Sequence, residues 1–144
     1  LPPTKGDEDE LGQVVRNLMS NAIKYTNHDT EVVVTVKLTS ALPDDHAFRN
    51  LSRALVFSVE DHGEGIPKEH IPRLTERFYR VDSARTRKVG GTGLGLSIVK
   101  HVINRHHGAL TIDSEVGKGS TFNVFLPVYE DVVPQRNDPQ TAVG

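Results

Sequence analysis

The sequence contains no cysteine. This absence excludes a disulfide framework and a thiolate zinc site. The sequence also lacks an excess of either charge, because 17 Lys and Arg residues against 19 Asp and Glu residues give a formal net charge of -2. Bulk electrostatics therefore gives no reason to expect nucleic acid or an anionic membrane as a partner, and any anion site must be local.

Long apolar runs are absent as well. The longest, Val32 to Val36 and Leu94 to Val99, are far shorter than the roughly 20 residues that span a bilayer. Leu1 is not an initiator methionine, and no charged segment followed by an apolar one opens the chain. We therefore expect a fragment of a longer protein, without a membrane span of its own.

Four common signatures of catalytic or cofactor sites are also missing. The P-loop pattern G-x-x-x-x-G-K-[ST] does not occur, and a dinucleotide fingerprint that began at Gly91 would need glycine or alanine where Leu96 stands. No serine, histidine and acid arrangement indicates a hydrolase triad. His106 and His107 lack metal-ligand spacing to other histidines, and we interpret them as structural residues.

Apolar residues recur at helical spacing in two segments of the chain. The first segment predicts a helix over residues 8–26, and Asp7 followed by Glu10 resembles a capping box at its start. The second predicts a helix over residues 94–107, which ends at Gly108. One short helical stretch and an arginine- and glycine-rich loop are expected between the two.

Alternating apolar residues predict four strands. Their segments are 31–38, 55–59, 110–112 and 122–126. We expect the first to be half-buried, interpret 39–53 as a solvated loop, and expect a tight reversal at 115–119. Because helices and strands interleave, the predicted class is α/β, a two-layer sandwich of a mixed β-sheet covered on one face by helices. Residues 1–129 would form this domain, and the polar tail 130–144 would be disordered.

The first predicted helix carries a polar stripe beside its apolar one. Asn17, Asn21, Lys24 and Tyr25 lie in one sector at about 100° per residue. An amide oxygen could hold a metal ion, the ammonium group could hold phosphate and the ring could pack on a base. A solvated helix flank would show the same pattern.

The motif Asp61-x-Gly63-x-Gly65 follows the second predicted strand. Its carboxylate can accept a hydrogen bond from the amino group of adenine, while the glycines allow a ligand close to the backbone. Guanine has a carbonyl oxygen at the corresponding position. That oxygen and the carboxylate would face each other as two acceptors without a proton between them, so such a site selects adenine. A turn closed by the aspartate's own hydrogen bond is the alternative.

A glycine-rich segment, Gly90 to Leu96, opens directly into the second predicted helix. Free backbone N–H groups and the positive end of the helix dipole favour phosphate there, although a simple glycine hinge is the alternative. Arg80 is the upstream cation that we expect to meet phosphate charge, in a segment that could also be a solvated loop.

Four segments, in this order, resemble the conserved boxes of bacterial sensor histidine kinases. They are Asn17 to Tyr25, Asp61 to Pro67, Arg77 to Asp82 and Gly91 to Leu96. The resemblance extends over about residues 7–127. In the arginine-rich segment and in the glycine segment Gly91 to Leu96, the chain is most similar to the phosphate-responsive sensor kinases. It implies the Bergerat fold of the GHKL ATPases, in agreement with the predicted two-layer architecture.

The resemblance implies roles at the phosphate end of an ATP site. Asn21 would hold a Mg2+ ion, and Asn17 and Lys24 would contact the phosphates. Arg80 would place the γ-phosphate, so that Asn17, Lys24 and Arg80 would be the catalytic residues.

At the other end, the resemblance implies that Tyr25 packs beside the adenine and that Asp61 accepts from its amino group. Thr121 would support Asp61 through water, and Gly91 to Leu96 would end the ATP lid. The remaining residues implied to bind ATP are Gly63, Gly65, Ile66, Phe78, Tyr79, Gly91, Thr92, Gly93, Leu94, Gly95 and Leu96.

One position separates the kinase interpretation from hydrolytic relatives of the same fold. Topoisomerase, chaperone and mismatch-repair ATPases carry a glutamate four residues before the metal-binding asparagine, where this chain has Asn17. An amide is not a general base, so phosphoryl transfer to a protein side chain is implied instead of hydrolysis. A hydrolytic ATPase and a non-catalytic nucleotide-binding or interaction module are the alternatives.

The implied partners follow from what the motifs lack. No segment resembles the histidine box, so a histidine-bearing dimerisation domain of the same parent protein would supply the phosphoacceptor. A response regulator would then receive the phosphoryl group. The resemblance implies a homodimeric parent at the inner membrane with this domain in the cytoplasm, and a monomeric fragment.

Overall fold

The computed structural model describes residues 7–76 and 95–128. Its helices and strands are α1 (Glu8–Tyr25), β1 (Val33–Thr39), β2 (Ala54–Asp61), α2 (Gly95–Arg105), β3 (Ala109–Glu115) and β4 (Gly119–Pro127). Two short 3₁₀ helices lie at His46–Phe48 and Lys68–Arg73. The predicted tail and the arginine- and glycine-rich loop up to Leu94 lie outside the described residues. No helix in the described ranges is long and apolar enough to cross a bilayer.

The described strands form one sheet in the order β1-β2-β4-β3. All neighbouring pairs are antiparallel, so the two-layer α/β prediction is confirmed but the prediction of a mixed sheet is wrong for these strands. The connection through α2 makes β2 and β3 run in the same direction. The tight β3–β4 turn then inserts β4 between them, which removes the parallel pair that interleaved helices would otherwise produce.

Helix α1 begins where the sequence predicts. The Asp7 side chain accepts the backbone N–H of Glu10 at 3.0 Å, which satisfies one of the N–H groups that a helix start leaves unpaired. Val14, Leu18 and Ala22 form the buried stripe at four-residue spacing. They pack in the main core with Val59 of β2 and residues of α2 and β4, so α1 covers the sheet beside α2.

The chain leaves α2 one residue before the glycine that the sequence indicates as its end. His107, rather than Gly108, has the left-handed φ of 59°, and the Gly108 N–H donates to the Ile103 carbonyl at 2.9 Å. Gly108 serves a different need, because an added Cβ would lie 2.4 Å from the carbonyl oxygen of Phe125 in β4. Glycine therefore allows the α2–β3 connection to pass close to the sheet.

His106 joins the end of α2 to the start of α1. Its Nε2 accepts the backbone N–H of Asp7 at 2.8 Å, and its Nδ1 donates to the Val102 carbonyl at 2.8 Å. Beside it, Arg105 forms an ion pair with Glu10. No cluster of three or more metal-ligating side chains occurs among residues 7–76 and 95–128. The two hydrogen bonds of His106 give it the structural role that the sequence analysis expected.

Strand β1 is an edge strand, and its apolar side chains are more exposed than predicted. Val34 is 42% exposed and Val36 is 46% exposed, although their strand partners Val59 and Phe57 lie on the core face. Alternation predicts which side chains share a face but not whether a helix reaches far enough to cover them.

The segment between β1 and β2 is not simply a solvated loop, and that prediction is corrected here. Phe48 is 2% exposed and packs with Ala54 and Ala109 on the sheet face opposite α1. Its ring meets the ring of Phe125 edge-to-face, with centroids 6.4 Å apart. The 3₁₀ helix therefore covers one end of the second sheet face, which the polar surroundings of a single aromatic residue concealed.

Replacing Phe48 with alanine should lower the free energy of unfolding by about 3 to 5 kcal/mol, because a buried ring is lost and a cavity remains. Urea denaturation measures the change. The control is His46→Ala, an exposed side chain in the same 3₁₀ helix, for which a change within about 0.5 kcal/mol is expected. Equal effects of the two substitutions would show that this segment does not anchor on the sheet.

Candidate functional site

The sequence motifs within the described residues converge at one end of the helical layer. Thr26, directly after α1, forms an isolated antiparallel bridge with Gly63. The side-chain amide of Asn17 donates to the carbonyl of Gly95 at 3.5 Å, at the start of α2. The polar stripe, the Asp61 loop and the start of α2 are thereby brought together. Phe78, Tyr79, Arg80, Gly91, Thr92, Gly93 and Leu94 lie outside the described residues.

The polar stripe of α1 borders this region. Asn17, Asn21 and Tyr25 are half-buried, and Lys24 is exposed. Asn17 lies toward α2 through its bond to Gly95. One turn further along, the Asn21 side chain has no hydrogen bond to another described residue, so its amide oxygen is available to a cation.

The donor set suits a Mg2+ ion that binds together with a nucleotide. No cluster of three or more His, Cys, Asp or Glu side chains that could hold a metal occurs in the described ranges, so a cage built from protein carboxylates is not available there. Mg2+ commonly keeps several waters and takes its other ligands from one or two protein oxygens and from substrate phosphates. The amide oxygen of Asn21 can supply such a protein ligand.

The carboxylate of Asp61 is buried at the end of β2, with 6% of the residue exposed. Its Oδ1 accepts the backbone N–H of Gly63 at 2.9 Å. The turn that the sequence left as an alternative is therefore present, and it orients the carboxylate. Gly63 is required here, because an added Cβ would lie 2.1 Å from the carbonyl oxygen of Tyr25.

The second half of the Asp61 loop is held by the β3–β4 turn. The carbonyl of Glu64 accepts the backbone N–H of Gly117 at 2.8 Å. Gly65 has a φ of 80°, and a Cβ there would lie 2.3 Å from the Glu115 carbonyl oxygen. The half-buried side chain of Ile66 packs against the main core. The loop is thus enclosed by the end of α1 on one side and by this turn on the other.

The hydroxyl beside Asp61 belongs to Ser120, not to Thr121. In the β2–β4 ladder Ser120 is opposite Asp61, and Thr121 is opposite Glu60. Paired residues share a sheet face and consecutive residues alternate, so the Thr121 side chain lies on the other face. The support for Asp61 that we expected from Thr121 is corrected accordingly. The sequence did contain a pattern that indicates Ser120. Phe122 is a core residue, and Ser120, two residues earlier in the same strand, therefore lies on the core face.

The start of α2 lies beside the polar stripe, because the Gly95 carbonyl accepts from the Asn17 side chain. Gly95 is its first residue, and an added Cβ there would have no described residue within 4 Å. Leu96 is half-buried and packs against the core, which anchors the first turn. Unpaired N–H groups and the helix dipole make such a start favourable for phosphate.

A model of the histidine kinase-, DNA gyrase B- and HSP90-like ATPase family matches residues 6–130. The chain belongs to this family. Within the ATPase family it is similar to sensor histidine kinases, as the resemblance of its motifs indicated. The phosphate regulon sensor protein PhoR of Pseudomonas aeruginosa is 43% identical over 136 residues, which are 94% of this chain and 28% of that protein.

Solved structures of the ATPase family agree with this assignment. The mycobacterial sensor histidine kinase MprB has a TM-score of 0.66 and 33% identity, with 86% of this chain and 76% of that chain covered. Full-length ShkA, solved in complex with AMPPNP, has a TM-score of 0.68 and 29% identity, with 88% and 23% covered. The GHKL fold predicted from the resemblance is therefore confirmed.

Proposed function

We propose that this chain is the catalytic domain of a sensor histidine kinase, which binds Mg-ATP and donates the γ-phosphoryl group to a histidine on a separate domain. The observation that carries the proposal is the convergence of the α1 stripe, the Asp61 loop and the start of α2 in one region. A nucleotide has a base at one end and phosphates at the other, and this region offers a buried carboxylate and a helix start.

At the base end, Asp61 would accept a hydrogen bond from the exocyclic amino group of adenine. The turn to Gly63 orients the carboxylate before ligand binding, which reduces the conformational entropy lost on binding. Ser120 supplies a hydroxyl beside it, and Tyr25 would pack next to the base.

At the phosphate end, Asn21 would hold Mg2+, and Asn17 and Lys24 would contact phosphate oxygens. The metal ion would neutralise charge on the phosphates. Backbone N–H groups at the start of α2 would add an uncharged donor set. Arg80, in the part of the chain outside the described ranges, is proposed to place the γ-phosphoryl group.

Asn17 favours a kinase over a hydrolase. Its amide donates toward α2, and neutral carboxamide nitrogen does not accept a proton near neutral pH. No base is therefore offered at this position for activating water. Positioning and charge neutralisation would carry the reaction, and the acceptor would be a histidine that another domain presents.

The relatives support the proposed partners. PhoR, of which this chain spans 28%, is named as a sensor protein. We infer that the parent of this chain carries a histidine-bearing dimerisation domain, forms a homodimer at the inner membrane with this domain in the cytoplasm, and passes the phosphoryl group to a response regulator.

The domain alone should bind Mg-ATP yet release phosphate no faster than buffer, and label from [γ-32P]ATP should appear on an added histidine-bearing domain of the parent. The label should be acid-labile, as expected of phosphohistidine. The rate of transfer should fall by at least about 100-fold in Asn21→Ala, because an interaction with the transferring phosphates is lost. Electrophoresis with phosphorimaging measures the label. Ser20→Ala, an exposed neighbour on α1, is the matched control.

Steady phosphate release by the isolated domain would instead identify a hydrolytic ATPase. Saturable ATP binding without transfer to any histidine-bearing partner would indicate a non-catalytic module. Wild-type transfer rates in Asn21→Ala would contradict the role of Asn21 in holding the metal.

A further inference from the structure

The hydroxyl of Ser114 in β3 lies where the Asp61 loop meets the β3–β4 turn. It accepts the backbone N–H of Ile66 at 2.7 Å. The same oxygen lies 3.0 Å from the Gly119 carbonyl and 2.8 Å from the Ser120 hydroxyl. A serine hydroxyl has one proton, so it accepts from Ile66 while it donates to one of the other two. One side chain therefore joins the loop to both residues at the start of β4.

The sheet itself does not need this hydroxyl. Ser114 pairs with Ser120 through the β3–β4 backbone ladder, and that ladder would remain if the side chain were shortened. The Ile66 N–H, in contrast, depends on this hydroxyl, because Ser114 is its acceptor in a half-buried position. Removal of the hydroxyl would leave this donor unsatisfied, which penalises the loop conformation and not the strand pairing.

The hydrogen bond from the Ile66 N–H to Ser114 holds the half of the Asp61 loop that is remote from α1. The first half is held by the bridge between Thr26 and Gly63. The second half turns at Gly65, whose φ is 80°, and Ser114 holds the next residue, Ile66. Because the same hydroxyl contacts Ser120, which is opposite Asp61, it sets the separation between the loop and the polar pair at the base end of the site.

We propose that Ser114 is a positioning residue for nucleotide binding: without touching the ligand, its hydroxyl holds the Asp61 loop in the conformation that receives the adenine base. This inference rests on the proposed function, since it concerns the base that Asp61 would bind. Ser114 acts on the base end alone, so its effect is common to all adenine nucleotides and does not depend on the number of phosphates.

The test is calorimetric titration of the folded domain with Mg-AMPPNP and with ADP, using Ser114→Ala together with the isosteric pair Ser114→Thr and Ser114→Val. Ser114→Ala should weaken both ligands about tenfold, the equivalent of one lost hydrogen bond. Valine should behave like alanine, whereas threonine, which keeps the hydroxyl, should bind within about threefold of wild type. Amide exchange at Ile66 should be faster in the alanine and valine variants.

The control is Ser58→Ala, which removes another hydroxyl of the sheet. That hydroxyl donates to the Asn123 side chain at 2.6 Å and does not contact the Asp61 loop. Affinity within twofold of wild type in Ser114→Ala, an equal loss in Ser58→Ala, or a loss confined to AMPPNP would overturn the inference. If the alanine variant does not fold, the threonine and valine variants decide, and equal binding by those two would also overturn it. Failure of wild-type protein to bind either ligand would contradict the proposed function itself, and this inference with it.

Discussion

Replacing Asp61 with asparagine should weaken binding of a non-hydrolysable ATP analogue by about 10- to 100-fold, the usual worth of a hydrogen bond to a charged group. Asparagine can keep the turn by accepting the Gly63 N–H with its single amide oxygen. Its NH2 group then occupies the other carboxylate position and faces the adenine amino group, donor against donor. Calorimetric titration with the ATP analogue and its GTP counterpart in the presence of Mg2+ measures both affinity and base selectivity.

Glu60→Gln is the matched control for this substitution. It removes the same charge from the adjacent residue of β2, whose side chain lies on the opposite sheet face and is 49% exposed. The affinity should stay within about twofold of wild type, because an exposed charge is screened by solvent. Wild-type affinity in Asp61→Asn, or equal binding of the GTP analogue by the unmodified protein, would refute the adenine-recognition role.

Replacing Gly119 with alanine should lower the free energy of unfolding by about 3 to 5 kcal/mol, the sum of backbone strain and overpacking. Gly119 has a φ of 134°, and an added Cβ would lie 2.1 Å from the Asp61 carbonyl oxygen. Because that contact is with backbone, the loop must move, and nucleotide affinity should fall together with stability. Urea denaturation and nucleotide titration of the same preparation measure the two effects.

Gly117→Ala separates the two causes within the same turn. Gly117 also has a left-handed φ, 89°, but an added Cβ there would have no neighbour within 4 Å among residues 7–76 and 95–128. Only the backbone strain remains, so a loss of about 1 to 2 kcal/mol with unchanged nucleotide affinity is expected. Equal losses in Gly117→Ala and Gly119→Ala would show that close approach of the loop to the turn is not what Gly119 protects.

Local features of this protein were predictable because their causes lie within a few residues of one another. The cap at Asp7, the buried stripe of Val14 and Leu18, and the glycine turn before β4 all depend on spacing along the chain, and the structure confirms them. The motifs were also predictable as a set, since their order and residue types resemble one family.

What the sequence did not determine are the features that depend on contacts between distant segments. The resemblance assigned the hydroxyl that supports Asp61 to Thr121, and only the register of β4 with β2 shows that Ser120 is opposite Asp61. In the same way, the sequence neighbours of Phe48 gave no indication that it is buried, because the residues that cover it, Ala54 and Ala109, come from strands of the sheet.

The sequence by itself therefore determined the two long helices, the four strands and the family, because period, capping and motif order can be read along the chain. Only the tertiary structure decided the antiparallel order of the sheet, the exposure of β1 and the enclosure of the Asp61 loop between α1 and the β3–β4 turn. These depend on register and close backbone approach between segments far apart in the chain, where a shift of one residue reverses the face of every side chain.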